Sequence, residues 1–169
     1  MGEYLPPPLG ILELAAYLET RNTSVDIEVL DCQAQRADWK KLEKHIEIFN
    51  PDIVAPSALA TCNTHTVIRT LETAKKVNPK ITTIVGGQHF TAMAHESLET
   101  YPEIDVVVRG EGEQTLSELV TTLERKMPLS KVNGVSYREK GTIIHTANRL
   151  PLENLMICLF RVITLLKII

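Results

Sequence analysis

The spacing of hydrophobic positions along this chain switches repeatedly between a period near 3.6 and a period of 2. Leu12, Ala15, Ala16, Tyr17 and Leu18 recur at helical spacing and predict a first helix ending near Arg21-Asn22. Residues 25–30 then alternate, with β-branched Val25, Ile27 and Val29, and predict a strand that ends at Asp31. Trp39, Leu42, Ile46 and Phe49 mark a second helix, which Asn50-Pro51 stops. Residues 52–56 read as a short buried strand. Val67, Leu71, Ala74 and Val77 mark a third helix, ended by Asn78-Pro79. Residues 81–85 form a strand running into Gly86-Gly87, and residues 93–98 a short helix. Residues 104–108 form a strand running into Gly110-Glu111-Gly112. Leu116, Leu119, Val120 and Leu123 form an amphipathic helix. Residues 132–137 and 142–146, joined across Lys140-Gly141, predict a closing β-hairpin.

Strands alternating with helices imply βαβ units, so the expected fold is α/β: a flavodoxin- or Rossmann-like parallel sheet with helices on both faces and a C-terminal hairpin. Buried parallel strands should be near-continuous apolar runs, which Ile84-Val85 and Val106-Val107-Val108 satisfy. Hydrophobic residues make up 44% of the 169 and aromatics only 5%, so the core is aliphatic. One domain over residues 1–150 is expected, followed by an atypical apolar segment, 151–169. At 14 residues, the apolar run 156–169 is too short to span a bilayer and is interrupted by Arg161 and Lys167. A net charge of −3 offers no basic face, so neither nucleic acid nor a membrane surface is expected as partner. Cys32, Cys62 and Cys158 form neither a disulfide framework nor a metal-cluster motif, which suits a cytoplasmic setting.

In an open parallel sheet, ligands bind outside the carboxyl ends of the strands. That rule selects four loops: Asp31-Cys32-Gln33, Ser57-Ala58-Leu59-Ala60-Thr61, Gly86-Gly87-Gln88-His89, and Arg109-Gly110-Glu111-Gly112-Glu113. Two consecutive glycines at a strand end leave a slot without side chains, and Ser57 offers a hydroxyl beside it. Plainer readings stand next to these. His89 reads equally as a solvated loop histidine, and His45 and His65 as surface residues. Cys32 and Cys62 read as small, partly buried thiols. Glu111 and Glu113 suit a helix start through the dipole alone, and Asp31 suits a turn.

Read in order, these loops resemble the cobalamin (B12)-binding domain of B12-dependent radical SAM proteins. Ser57-x-Leu59 followed by Gly86-Gly87 is similar to that domain's S-x-L … G-G signature. Pro6-Pro7-Pro8-Leu9-Gly10, with Ala15-Ala16-Tyr17-Leu18, is similar to its opening. Asn50-Pro51-Asp52, Gly86-Gly87-x-His89 and Arg109-Gly110-Glu111-Gly112-Glu113 continue it, over roughly residues 4 to 155. The resemblance implies cobalamin as cofactor. Ser57 would bond the benzimidazole of its tail, and Leu59 would shape the apolar wall. Gly86 and Gly87 would leave room for the tail, and Gly110, Glu111 and Gly112 would line the mouth. Gln33, Ala58, Thr61, Gln88 and His89 complete the expected site. Catalytic residues and protein metal ligands are not expected.

One departure bears on the chemistry. His-ligated relatives carry D-x-H-x-x-G where this chain reads Asp31-Cys32-Gln33-Ala34-Gln35-Arg36, so a cobalt-ligating imidazole is not expected from this loop. The radical SAM motif C-x-x-x-C-x-x-C is absent, so neither an iron–sulfur cluster nor S-adenosylmethionine is expected here. The resemblance makes a radical SAM catalytic domain the expected partner, with a homo-oligomer as another possibility. It also implies an apolar central strand ahead of the proline loop, so a gap is expected between residues 25–30 and 52–56. A set of codons that could encode 156–166, read one nucleotide out of frame with a G restored in front, would give the family's D-x-L-P-x-P linker, so a frameshift is expected. The alternative is that the apolar tail fills the gap. The resulting expectation is a module holding methylcobalamin for a separate methyltransferase domain. Its rivals are a remnant or interaction domain that binds no cofactor, and a flavin- or nucleotide-binding module. The last lacks a G-x-G-x-x-G or P-loop after a first strand.

Overall fold

The computed structural model describes residues 8–22, 24–58 and 60–150. Helix α1 (Leu9–Arg21) buries Ala15, Ala16, Tyr17 and Leu18. The buried Asn22 ends it: its amide donates to Leu18 O, and its side chain bonds Thr121 Oγ1 at 2.8 Å and accepts from Ser117 Oγ at 2.7 Å. Both partners lie on α6 (Gly112–Glu124), so one polar side chain fixes how two amphipathic helices dock. Helix α2 (Trp39–Phe49) starts where Asp38 accepts from the Lys41 amide, and it stops at left-handed Asn50. Leu42 and Ile46 pack it onto Ala74 and Ile81 beside α3 (Thr64–Val77).

The sheet has the order β1-β2-β3-β4-β5. Strands β1 (Ile53–Val54), β2 (Thr82–Val85) and β3 (Val106–Val108) are parallel, in register Ile53↔Thr82 and Ile84↔Val106. The hairpin β4 (Val135–Glu139) and β5 (Thr142–His145) joins antiparallel through Val107↔Ser136, so the sheet is mixed. Alternation divides the core as the pleat requires. Ile84, Val106 and Val108 face Leu18, Leu116, Leu119 and Val120 of α1 and α6. Val85 and Val107 face Val67, Ile68 and Leu71 of α3, together with Phe90, Ala94 and Leu98. Helices therefore cover both faces. No helix of the described residues is long and apolar enough to cross a membrane.

Three expectations change. Residues 25–30 join no ladder among the described residues, and β1 pairs only with β2. No strand of the described residues lies between them. Their side chains still divide between the faces as a strand's would, Val25 and Ile27 packing against the same core as Ile53, and Leu30 against the same core as Val54. Second, the stretch after Gly87 forms two helices, α4 (Gln88–Ala92) and α5 (Ala94–Thr100), where one was expected. Only Phe90 of α4 is buried, so α4 left no periodicity to read. Third, the C-terminal hairpin expected in addition to the parallel sheet joins it, β4 running against β3, so the sheet is mixed. The tail at 151–169, including Cys158 and the linker reading, lies outside the described residues.

Candidate functional site

Three predicted loops leave the carboxyl ends of neighbouring parallel strands, and their own backbones join them. Ser57 forms a parallel bridge to Gly86, and Ala58 N donates to Gly86 O at 3.1 Å. Ser57 Oγ reaches the same carbonyl at 3.4 Å, and His89 N donates to Ala58 O at 3.4 Å. Thr61 Oγ1 and His89 Nδ1 lie 3.2 Å apart. The third loop is fastened to the second by Gly110 N donating to Thr91 Oγ1 at 3.0 Å. Ser57, Ala58, Thr61, Gly86, Gly87, Gln88, His89, Gly110, Glu111 and Gly112 therefore share one edge of the fold. Leu59 lies outside the described residues.

The two glycines of the pair have different tasks. Gly87 has φ +93°, and a Cβ on it would stand 2.4 Å from Ala58 O and 2.7 Å from Ser57 Oγ. Its missing side chain is what lets the first two loops close on each other. A Cβ on Gly86 would meet nothing closer than Val108 O at 3.6 Å, and one on Gly110 would meet open space. Side-chain-free room thus lies at Gly86 and Gly110, while Ala58 is fully buried in the core beneath.

The Asp31 loop stands apart. Asp31 Oδ1 accepts from Gln33 N at 3.0 Å and Ala34 N at 2.9 Å, a turn that leaves Gln33 exposed. Burial, followed by the Asp31 charge, raises the Cys32 thiol above its ordinary range.

Sequence reasoning gave Arg109 no role. Its guanidinium donates to Asn148 Oδ1, Val135 O and Thr146 O, clamping the end of β3 to the hairpin, and burial lowers its pKa. The signal was there, an arginine directly after an apolar strand, but its partners lie 26 to 39 residues ahead. Thr91, which holds the third loop, carried no signal at all. Glu113 Oε2 is covered and lacks a hydrogen-bond partner among the described residues.

Residues 2–120 match the family model described as "B12 binding domain". The chain is 32% identical over 148 residues to "Uncharacterized methyltransferase PH0819" of Pyrococcus horikoshii, covering 88% of this chain and 31% of that protein. It is 35% identical over 153 residues to the anaerobic magnesium-protoporphyrin IX monomethyl ester cyclase of Rubrivivax gelatinosus, covering 88% and 27%. The chain thus spans less than a third of the length of these curated relatives. The fold is similar to that of the radical S-adenosylmethionine methyltransferase TsrM from Kitasatospora setae, solved with cobalamin and a [4Fe-4S] cluster. That likeness has a TM-score of 0.73 and 20% identity, over 88% of this chain and 28% of the other.

Proposed function

This chain belongs to the B12-binding domain family and is related to B12-dependent radical SAM methyltransferases, and from that premise we propose that residues 1–150 bind cobalamin and present it to a radical SAM catalytic domain. The observation that carries the reading is the joined edge of Ser57, Gly86 and Gly110, where three strand ends meet around side-chain-free backbone.

The residues suit an extended ligand with one apolar and one polar end. Gly86 and Gly110 leave room against the backbone. Ser57 Oγ, held only by the long contact to Gly86 O, can turn its hydroxyl to a ring nitrogen. Thr61, Gln88 and His89 form a polar rim, and Glu111 and Gly112 stand at the mouth. Leu59 is assigned the apolar wall by its place in the motif. Gln33 presents a neutral amide where a histidine would ligate cobalt, so the chain supplies no lower imidazole from this loop. When bound, cobalamin would supply alkyl transfer at its cobalt.

Titrating the chain with hydroxocobalamin, followed by absorption spectroscopy and equilibrium dialysis, tests the proposal. Stoichiometric binding is expected, weakened about 3- to 10-fold by Ser57→Ala, the loss of one hydrogen bond. Cobalamin that passes through dialysis unretained by the wild-type chain would sink the reading in favour of a module that binds no cofactor.

A further inference from the structure

A cavity of about 560 Å³, which shares Thr61 and His89 with the rim of the proposed cobalamin site, opens on the α3–α5 face of the sheet. Its wall at the carboxyl end of the strands is Thr61, Thr64, His65 and His89; Arg69 follows along α3. Helix α3 is 14 residues long, and Asn63 gives it no side-chain cap. The Thr64 amide is taken by Thr61 O of the 3-10 turn ahead of it; the positive end of the helix dipole still faces the cavity wall. Thr64 is only 8% exposed, and its covered Oγ1 has no hydrogen-bond partner among the described residues. A buried hydroxyl without a partner costs free energy, so a group that accepts its hydrogen bond would bind with a gain. Arg69 brings a permanent positive charge, stacked 4.3 Å over the Trp39 ring and outside any ion pair among the described residues. The carboxylates of the wall are at the other end. Glu72 is eight residues further along α3, about 12 Å by helical rise, and Glu103 precedes the amino end of β3.

We propose that the amino end of α3, with Thr64, His65 and Arg69, is a binding site for a phosphate-class oxyanion. Helix amides, a hydroxyl donor and a guanidinium are the donors such an anion takes. The site does not depend on cobalamin binding. Because cobalamin itself carries a phosphodiester, the group could come from that cofactor or from a free phosphoester.

The test uses the full ¹⁵N-labelled chain, titrated with inorganic phosphate at constant ionic strength against chloride. Saturable shifts are expected at the amides of His65, Thr66 and Val67, with a parallel change in the fluorescence of Trp39, the sole tryptophan. Thr64→Val keeps the shape and removes the hydroxyl, and should weaken binding about 10-fold; Arg69→Met should weaken it at least as much. Shifts linear in phosphate, or equal affinity in wild type and a folded Thr64→Val, would overturn the proposal. Repeating the titration with cobalamin and with cobinamide, which lacks the phosphodiester and base, identifies the source. Phosphate displaced by cobalamin alone assigns the site to the cofactor's phosphodiester; phosphate retained with both assigns it to a free phosphoester. A failure of cobalamin to bind leaves the phosphate titration readable.

Discussion

The two flanks of the sheet are held by different forces. On the hairpin flank, arginines reach across long sequence distances to backbone carbonyls. Arg138 donates to Leu98 O, Tyr101 O and Ile104 O at 2.6 to 3.0 Å, and Arg109 clamps Val135 and Thr146. Arg149 bonds Thr115 and Gln114 and pairs with Glu118, all on α6. On the β1 flank a two-residue strand has one partner, and residues 25–30 join no ladder among the described residues; they pack on the cores, and Glu28 reaches His45 at 2.9 Å. The comparison shows that several long-range directional bonds fix the flank carrying the third site loop, while apolar contact and one histidine–carboxylate pair, without a ladder, hold the flank carrying the Asp31 loop. The Asp31 loop should accordingly open first in native-state exchange.

The largest effect is expected from breaking the stronger flank. Arg138→Ala strips three carbonyls of their donor and should cost about 3 kcal/mol, read as a fall in Tm with faster amide exchange through β4 and β5. A loss no greater than that of an exposed-site substitution would mean that packing, not the clamp, holds the hairpin.

The glycine pair sharpens the comparison inside the site. Gly87→Ala should cost roughly 2 kcal/mol, because φ is positive and the new Cβ meets Ala58 O. Gly86→Ala should stay within about 0.5 kcal/mol, yet lower cobalamin affinity by filling the slot. Denaturant melts and dialysis on the two variants check both statements; equal destabilisation would refute the division of roles.

On the weaker flank, deleting residues 156–169 tests the frameshift reading of the apolar tail, which expects Tm to be no lower without it. A clear drop would show that the apolar tail completes the β1 edge. The exposed Gln33 gives a spectroscopic counterpart. Electron paramagnetic resonance of Co(II) cobalamin bound to the chain should show no nitrogen splitting, since the proposed site holds the tail's base at Ser57 and away from cobalt; splitting that persists with a base-lacking analogue would identify a protein imidazole, with His89 the first to replace.

The smallest effect is a pH dependence on the hairpin flank. His145 Nε2 lies 3.1 Å from His95 Nδ1, and Ser136 Oγ lies 2.8 Å from its Nδ1. Burial, then Arg109 and His95, hold its pKa below the ordinary 6.5, against the opposing pull of Glu96. The unfolded chain therefore takes up this proton at higher pH than the folded one. The stability His145 contributes is full above about pH 6.5 and declines as pH falls from there towards the lowered folded value. His145→Gln should flatten that part of the stability–pH curve, and a slope unchanged by the substitution would assign it to another group.

Much of this was legible in the sequence, and the reason is local. Apolar runs at 84–85 and 106–108, glycines directly after them, and helices of period 3.6 between them fix a βαβ order and hence the edge where Ser57, Gly86 and Gly110 must meet. Cobalamin as the expected ligand came from the ordered motifs, not from periodicity. The hydrophobic pattern also fixed which side chains of residues 25–30 turn inward, because alternation needs no partner strand. Whether that segment belongs to a ladder was beyond it, since pairing depends on a neighbour brought there by the rest of the chain. The opposite tasks of two adjacent glycines were equally hidden: a Cβ on Gly87 would run into a carbonyl 29 residues earlier in the chain, whereas one on Gly86 would make only ordinary contact with Val108. The arginine clamps, the unpartnered Thr64 hydroxyl and the cavity at the start of α3 were decided only by tertiary structure. A hydrogen bond between distant residues leaves no period in the sequence, whereas burial of an apolar face does.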